Sequence, residues 1–134
     1  MILIAMAYLK PPLFVAKVFN KVAMATGVGG SQTLTVMGRT TGQPQQIPVI
    51  PVEYEGAHYL VSTRGESQWV KNIRANPTVT VASRRESREH HASEVPPSAS
   101  APIISAYRAK AGKQVEGYWK KLPDGEDHPV FLLA

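Results

Sequence analysis

The stretch "GRTTGQPQQIPV", residues 38–49, decides how the fold is read. Its first five residues, Gly38-Arg39-Thr40-Thr41-Gly42, form a turn. Two glycines allow φ values closed to other residues, and two hydroxyls and a guanidinium supply donors. Upstream, residues 33–37 are β-rich and read as a strand. Downstream, residues 45–53 alternate, with Ile47, Val49 and Pro51 on one face and Gln46, Pro48, Ile50 and Val52 on the other. Proline cannot donate to a strand ladder, so a run carrying prolines at 48 and 51 belongs at a sheet edge or a bulge.

Working outward, further strands are expected at 58–63, 78–82, 89–95 and 128–133. Glu55-Gly56 makes the turn before the first of these, and a charged hairpin at 84–88 precedes the third. A helix is expected at 67–75, with Ser67 as cap, Trp69, Val70 and Ile73 as its apolar stripe, and Asn76-Pro77 as its stop. Residues 98–111 read as a second helix, with Ala99, Ile103 and Tyr107 in line and Gly112 at its end, and 114–121 as a short third. Six short strands with few helices predict a mainly β (α+β) fold, a small antiparallel barrel with helices covering its ends.

The first thirty residues read differently. Residues 2–9 are apolar but too few to span a bilayer, which takes ~20. No basic run precedes them, so a secretory signal is a poor match. Residues 13–24 carry Phe14, Val18 and Val22 at i, i+4 and i+8, with Lys17, Asn20 and Lys21 on the other side. That is a short amphipathic helix, suited to a core, a partner subunit or a membrane surface. Gly27, Gly29 and Gly30 make the linker. The expected organisation is an N-terminal helix and linker over 1–30 and one barrel domain over 31–134.

Composition narrows the chemistry. With no cysteine among 134 residues, disulfides, thiolate chemistry and Cys-ligated metals are excluded. A net charge of +5 favours anionic partners. Arg84, Arg85 and Arg88 are interrupted by Glu86, and no aromatics interleave with the basic residues, so nucleic acid is not expected. His90 and His91 are adjacent and face opposite ways on a strand, while His58 and His128 are isolated; no metal is expected. There is no nucleophile elbow, P-loop or zincin motif, and no carboxylate pair at useful spacing.

Two places gather donors and cations. One is the turn at 38–42. The other is Ser62-Thr63-Arg64-Gly65-Glu66-Ser67-Gln68-Trp69, where a strand end feeds a helix N-terminus whose free N–H groups and dipole favour an anion. Arg64, Lys71 and Arg74 lie in or near it. Spacing by itself leaves open that both are ordinary polar turns.

The pair Gly38-Arg39-Thr40-Thr41-Gly42-Gln43-Pro44 and Trp69-Val70-Lys71-Asn72-Ile73-Arg74-Ala75-Asn76-Pro77 resembles the deazaflavin (F-420)-dependent nitroreductase family, split β-barrel flavin/deazaflavin oxidoreductases of actinobacteria. The resemblance covers roughly residues 31–95. It implies coenzyme F-420 as cofactor, with Arg39, Thr40 and Thr41 meeting its anionic tail. It places Gln45, Gln46, Ile47, Pro48, Val49 and Ile50 under the ring, and Val61, Ser62, Thr63 and Arg64 over phosphate and ring. Gln68, Trp69 and Asn72 complete the pocket. The implied reaction is hydride transfer from the reduced cofactor to a planar electrophile such as a quinone, a nitroaromatic or an unsaturated lactone. No nucleophile is required, and Tyr118 and Ser62 are the side chains offered as proton sources.

The chain departs from the family's nitroreductases in its short loop at Gly65-Glu66-Ser67 and in having only Tyr107 and Tyr118 as C-terminal tyrosines. An FMN-binding barrel is one alternative, since Arg39 and Arg64 suit a flavin phosphate equally. A non-enzymatic fatty-acid or lipid-binding module, supported by residues 1–24 and the basic charge, is another. The resemblance also implies a homodimer. The expected location is cytoplasmic, with a peripheral contact at the inner face of the membrane through residues 1–24 as the variant.

Overall fold

A computed structural model describes residues 31–134. The expected helix at 13–24 and the linker after it lie outside the described residues. Seven strands form the sheet: β1 (Gln32–Met37), β2 (Pro44–Val49), β3 (Val52–Tyr54), β4 (Ala57–Val61), β5 (Thr78–Ala82), β6 (Ser87–Val95) and β7 (Val130–Leu133). Among the described residues three α-helices accompany them: α1 (Gln68–Ala75), α2 (Pro97–Ala111) and α3 (Lys113–Lys121).

Every pairing is antiparallel and the strand order is β2-β1-β5-β6-β7-β4-β3. The two outermost strands of that order, β2 and β3, are consecutive in the chain. The sheet therefore curls until one stretch of backbone, bent at Ile50-Pro51, links its two edges. This is the split barrel. The expected single strand over 45–53 is in fact these two strands, which is why there are seven and not six. Proline's missing N–H at 51 removes a ladder bond where the chain must change direction. Pro44 and Pro48 lie on β2, at the sheet edge as their chemistry requires.

Alternation along this bent run serves two cores. Ile47 and Val49 pack on the cluster of Leu34, Val36, Leu60, Val79, Val81, Phe131 and Leu133, to which α1 adds Val70 and Ile73. Ile50 and Val52 face the other way, onto Val61, Val130, Ile103, Ile104, Tyr107, Val115 and Trp119. The first cluster fills the barrel beneath α1; the second joins the sheet to α2 and α3. Each large side chain so buried stabilises the fold by about 1.5–3 kcal/mol before chain entropy is counted.

The turns follow their residues. Glu55 at φ 50° and Gly56 at φ 82° make the tight β3–β4 hairpin. Pro97 opens α2 in its first turn, and Gly112 at φ 71° ends it. Arg108 on α2 ion-pairs with Glu116 on α3, Nε to Oε2 at 3.0 Å, linking the two helices. That contact holds the exposed Glu116 carboxyl below its usual range.

His128, just before β7, is buried to 1% exposure and stacks on Trp119 with ring centroids 4.1 Å apart. Its Nδ1 lies 2.8 Å from the Ser62 carbonyl oxygen and its Nε2 2.7 Å from that of Leu122. It ties the end of β4 to the end of α3.

Candidate functional site

A cleft of about 250 Å³ runs along the free edge of β2. One wall is β2 itself, with Gln45, Ile47, Pro48, Val49 and Ile50. The end of β4 and the start of α1 supply Thr63, Arg64, Ser67, Gln68 and Trp69. The far wall is α2 and α3, with Tyr107, Gln114, Val115 and Tyr118. The volume is near the lower end of ligand pockets, which run ~300–1,000 Å³. It suits a flat ring system lying along a strand, with any longer appendage leaving over the rim.

Nine residues expected at the site line this cleft: Gln45, Ile47, Pro48, Val49, Ile50, Thr63, Arg64, Gln68 and Trp69. Tyr118 lines it too, and its phenol oxygen accepts a hydrogen bond from Arg64 Nη2 at 3.0 Å. The others have different surroundings. Gln46 is exposed and reaches Thr35 at 3.4 Å. Val61 is core. Ser62 is fully buried, and its hydroxyl donates to the Gly65 carbonyl at 2.6 Å, so its proton is already placed away from any ligand.

The turn at 38–42 also differs in detail from its expected role. Gly42 N donates to Gly38 O at 2.9 Å and Gln43 N to Thr41 Oγ1 at 3.2 Å, so Thr41 closes the turn. Thr40 is exposed. Arg39 folds onto α1: its backbone N and Nη1 donate to Asn72 Oδ1 at 3.0 and 2.8 Å, and Nη2 donates to Gln68 Oε1 at 2.8 Å. Asn72, buried to 1% exposure, is thereby the joint between turn and helix. Gly38 is required here because a Cβ would come within 2.7 Å of Thr41 Oγ1 and 3.0 Å of Gln45 Nε2.

The charges sort themselves. Arg74 donates to Glu94 at 2.9 and 2.8 Å and also pairs with Glu66, and these carboxylates raise its pKa further. Expected near the anion site, it is neutralised instead. Arg39 and Arg64 have no carboxylate partner among the described residues, so both keep net positive charge beside the cleft.

Ser67 is expected from the sequence as a helix cap within the donor-rich stretch 62–69. It sits at the N-cap of α1, yet its side chain makes no capping bond. Its Oγ is buried without a hydrogen-bond partner, and the residue lines the cleft. A buried hydroxyl left unpaired costs about 1–3 kcal/mol. The first-turn N–H groups of α1 open beside it, with the positive end of the helix dipole. An anionic oxygen placed here would take the hydroxyl proton and the helix N–H groups together. The donor set, the Arg64 guanidinium and the apolar wall of β2 fit a planar, phosphorylated cofactor.

Gln114, Val115, Ser31 and Val36 also line the cleft without sequence warning, and with them stands Tyr107, one of the two C-terminal tyrosines noted in the sequence. Tyr107 lies in the apolar line of α2, and its periodicity signals core alone. Burial, then the neighbouring Tyr118, hold its phenol above the ordinary tyrosine range.

No curated protein matches the chain. Among solved structures, an F420-H2 dependent reductase, FDR-A, is 22% identical, with a TM-score of 0.56 over 78% of this chain and 93% of that one. A structure described as a domain-swapped dimer is 20% identical, with a TM-score of 0.56 over 91% and 95%. HutZ, a heme storage protein from Vibrio cholerae, is 14% identical, with a TM-score of 0.58 over 80% and 82%. At these identities the likeness establishes the shared barrel. The sequence profile of the F420H(2)-dependent quinone reductases matches residues 14–123, and the chain belongs to that family.

Proposed function

We propose that this chain binds the deazaflavin ring of F420 along β2 and reduces a quinone, or a similarly flat carbonyl acceptor, stacked in the same cleft. The family's reductant is F420 and its named acceptor a quinone. When bound, the reduced deazaflavin supplies a hydride. The chain supplies the rest.

Ile47, Pro48, Val49 and Ile50 offer an apolar, proline-stiffened wall to a planar ring. Ser67 Oγ, the first-turn N–H groups of α1 and Arg64 hold the cofactor's phosphate. Trp69 and Val115 keep water from the reacting faces. Tyr118 accepts from Arg64 and keeps its own proton to donate, so it is positioned to hydrogen-bond the acceptor's oxygen as charge develops there. Gathering acceptor and cofactor in one narrow cleft removes the entropy of their encounter.

The observation that carries the reading is the buried, unpartnered Ser67 Oγ at the mouth of α1. Titration of the purified chain with F420, FMN and a fatty acid in parallel tests it. The expected result is saturable quenching of deazaflavin fluorescence, with FMN at least tenfold weaker. Preferential binding of the fatty acid would favour the lipid-binding reading.

A homodimer and a membrane-surface contact through residues 1–24 extend the proposal. Among the described residues no helix is long and apolar enough to cross a membrane.

A further inference from the structure

The contacts around Arg39 form a chain whose logic fixes the orientation of two amides. A guanidinium and a backbone N–H only donate, so the atom of Asn72 they share must be its oxygen. That leaves Asn72 Nδ2 as a donor, and it faces Gln45 Oε1 at 3.4 Å. Gln68 likewise must turn its oxygen to Arg39 Nη2. In both glutamines the carbonyl end is held and the NH2 end is left over. Both glutamines line the cleft, and among the described residues their side-chain bonds are the ones their oxygens accept. The Nε2 of Gln45 lies 3.0 Å from where a Cβ on Gly38 would sit.

We propose that Arg39 is a positioning residue: through Asn72 and directly, it sets Gln45 and Gln68 so that two carboxamide NH2 groups present donors to the oxygen-bearing edge of a ring bound on β2. The proposal rests on the F420 reading above. It replaces the expectation that Arg39 grips the anionic tail. A deazaflavin carries two carbonyl oxygens on its pyrimidinedione edge, which are acceptors that a pair of NH2 groups matches. A hydrocarbon or lipid face offers them nothing.

Two ligands separate the roles: intact F420, and the deazaflavin riboside lacking phosphate and oligoglutamate tail. Arg39→Ala is expected to weaken both by the same factor, on the order of tenfold, the equivalent of one or two hydrogen bonds. Gln68→Met, a neutral change at an exposed helix start, is expected to weaken both as well. The double variant should be less than additive, because the two act through one contact. In each variant, measured at ligand saturation, the visible absorption band of the bound ring should move back toward its position in free solution.

The proposal is overturned if Arg39→Ala weakens intact F420 while the riboside binds unchanged, for then the guanidinium meets the tail. It is overturned equally if Gln68→Met leaves riboside affinity and the absorption band as in the unaltered chain. Failure of the unaltered chain to bind either ligand would remove the F420 reading itself, a distinct result that takes this proposal with it.

Discussion

Arg64 and Tyr118 meet across the cleft, Nη2 donating to the phenol oxygen at 3.0 Å and Cζ lying 5.1 Å from the ring centroid. The contact joins the loop after β4 to α3 and sets a cation and a phenol side by side at the cleft. If Tyr118 serves the acceptor and Arg64 the cofactor, the two separate kinetically. Tyr118→Phe should lower kcat/KM for the quinone roughly tenfold to a hundredfold, within the range for positioned proton donors, and leave F420 affinity unchanged. Arg64→Met should instead weaken F420 by ~1.5–3 kcal/mol, as loss of a charged hydrogen bond does. Steady-state kinetics and fluorescence titration on both variants check the division; equal effects on both quantities would refute it.

Gly38 and Gly42 should fail for different reasons. Gly38→Ala drives a methyl into Thr41 Oγ1 and Gln45 Nε2, so it should disturb the amide on the cleft and weaken ring binding. Gly42 has φ 71° and open space around it. Gly42→Ala should cost roughly 1 kcal/mol of stability through backbone strain alone, with ring affinity retained. Chemical denaturation alongside ring titration distinguishes them.

His128→Ala should destabilise by roughly 3 kcal/mol. It empties a fully buried, stacked ring and removes the ring nitrogens that face the Ser62 and Leu122 carbonyls, one of which loses its N–H donor. A melting point lower by on the order of 10 °C is the expected readout. The cleft should loosen too, since those two carbonyls flank the segments that carry Arg64 and Tyr118.

Tyr107 gives a pH test. Burial raises its folded pKa above the unfolded value of 10.0, so the fold favours the neutral phenol. The folded chain then holds a proton that the unfolded chain has lost once pH passes about 10. Stability contributed by this group is intact below that pH and falls above it, at up to ~1.4 kcal/mol per pH unit. Tyr107→Phe should flatten this alkaline limb in denaturation curves measured from pH 9 to 11.

The hairpin around residue 40, the edge character of β2 and the helix stopped by Asn76-Pro77 were all legible, because turn glycines, prolines and helical periodicity act locally. The division of residues 45–53 into two strands was not. It follows from barrel closure, a long-range requirement that only the pairing of β3 with β4 reveals. At the site, the β2 wall and the loop at Thr63 and Arg64 could be named from motifs. Arg39 illustrates the limit. Its donors are evident from its type, but Asn72, 33 residues away, receives them, and no local pattern announces that. Arg74 differs from expectation for the same reason, since Glu94, 20 residues on, satisfies it in space; Ser62 differs for a local one, its hydroxyl being taken by the Gly65 carbonyl three residues on.

The claim on which the functional reading turns is that Ser67 Oγ waits for an anion. Thermal melting of the unaltered chain and Ser67→Ala, each with and without saturating F420, tests it most directly. Without ligand, the alanine variant should melt at the same temperature or higher, since it removes an unpaired buried hydroxyl. With F420, the stabilisation seen in the unaltered chain should shrink by at least half. A variant that melts lower on its own, yet gains as much from F420 as the unaltered chain, would show that the hydroxyl serves the helix and not the cofactor.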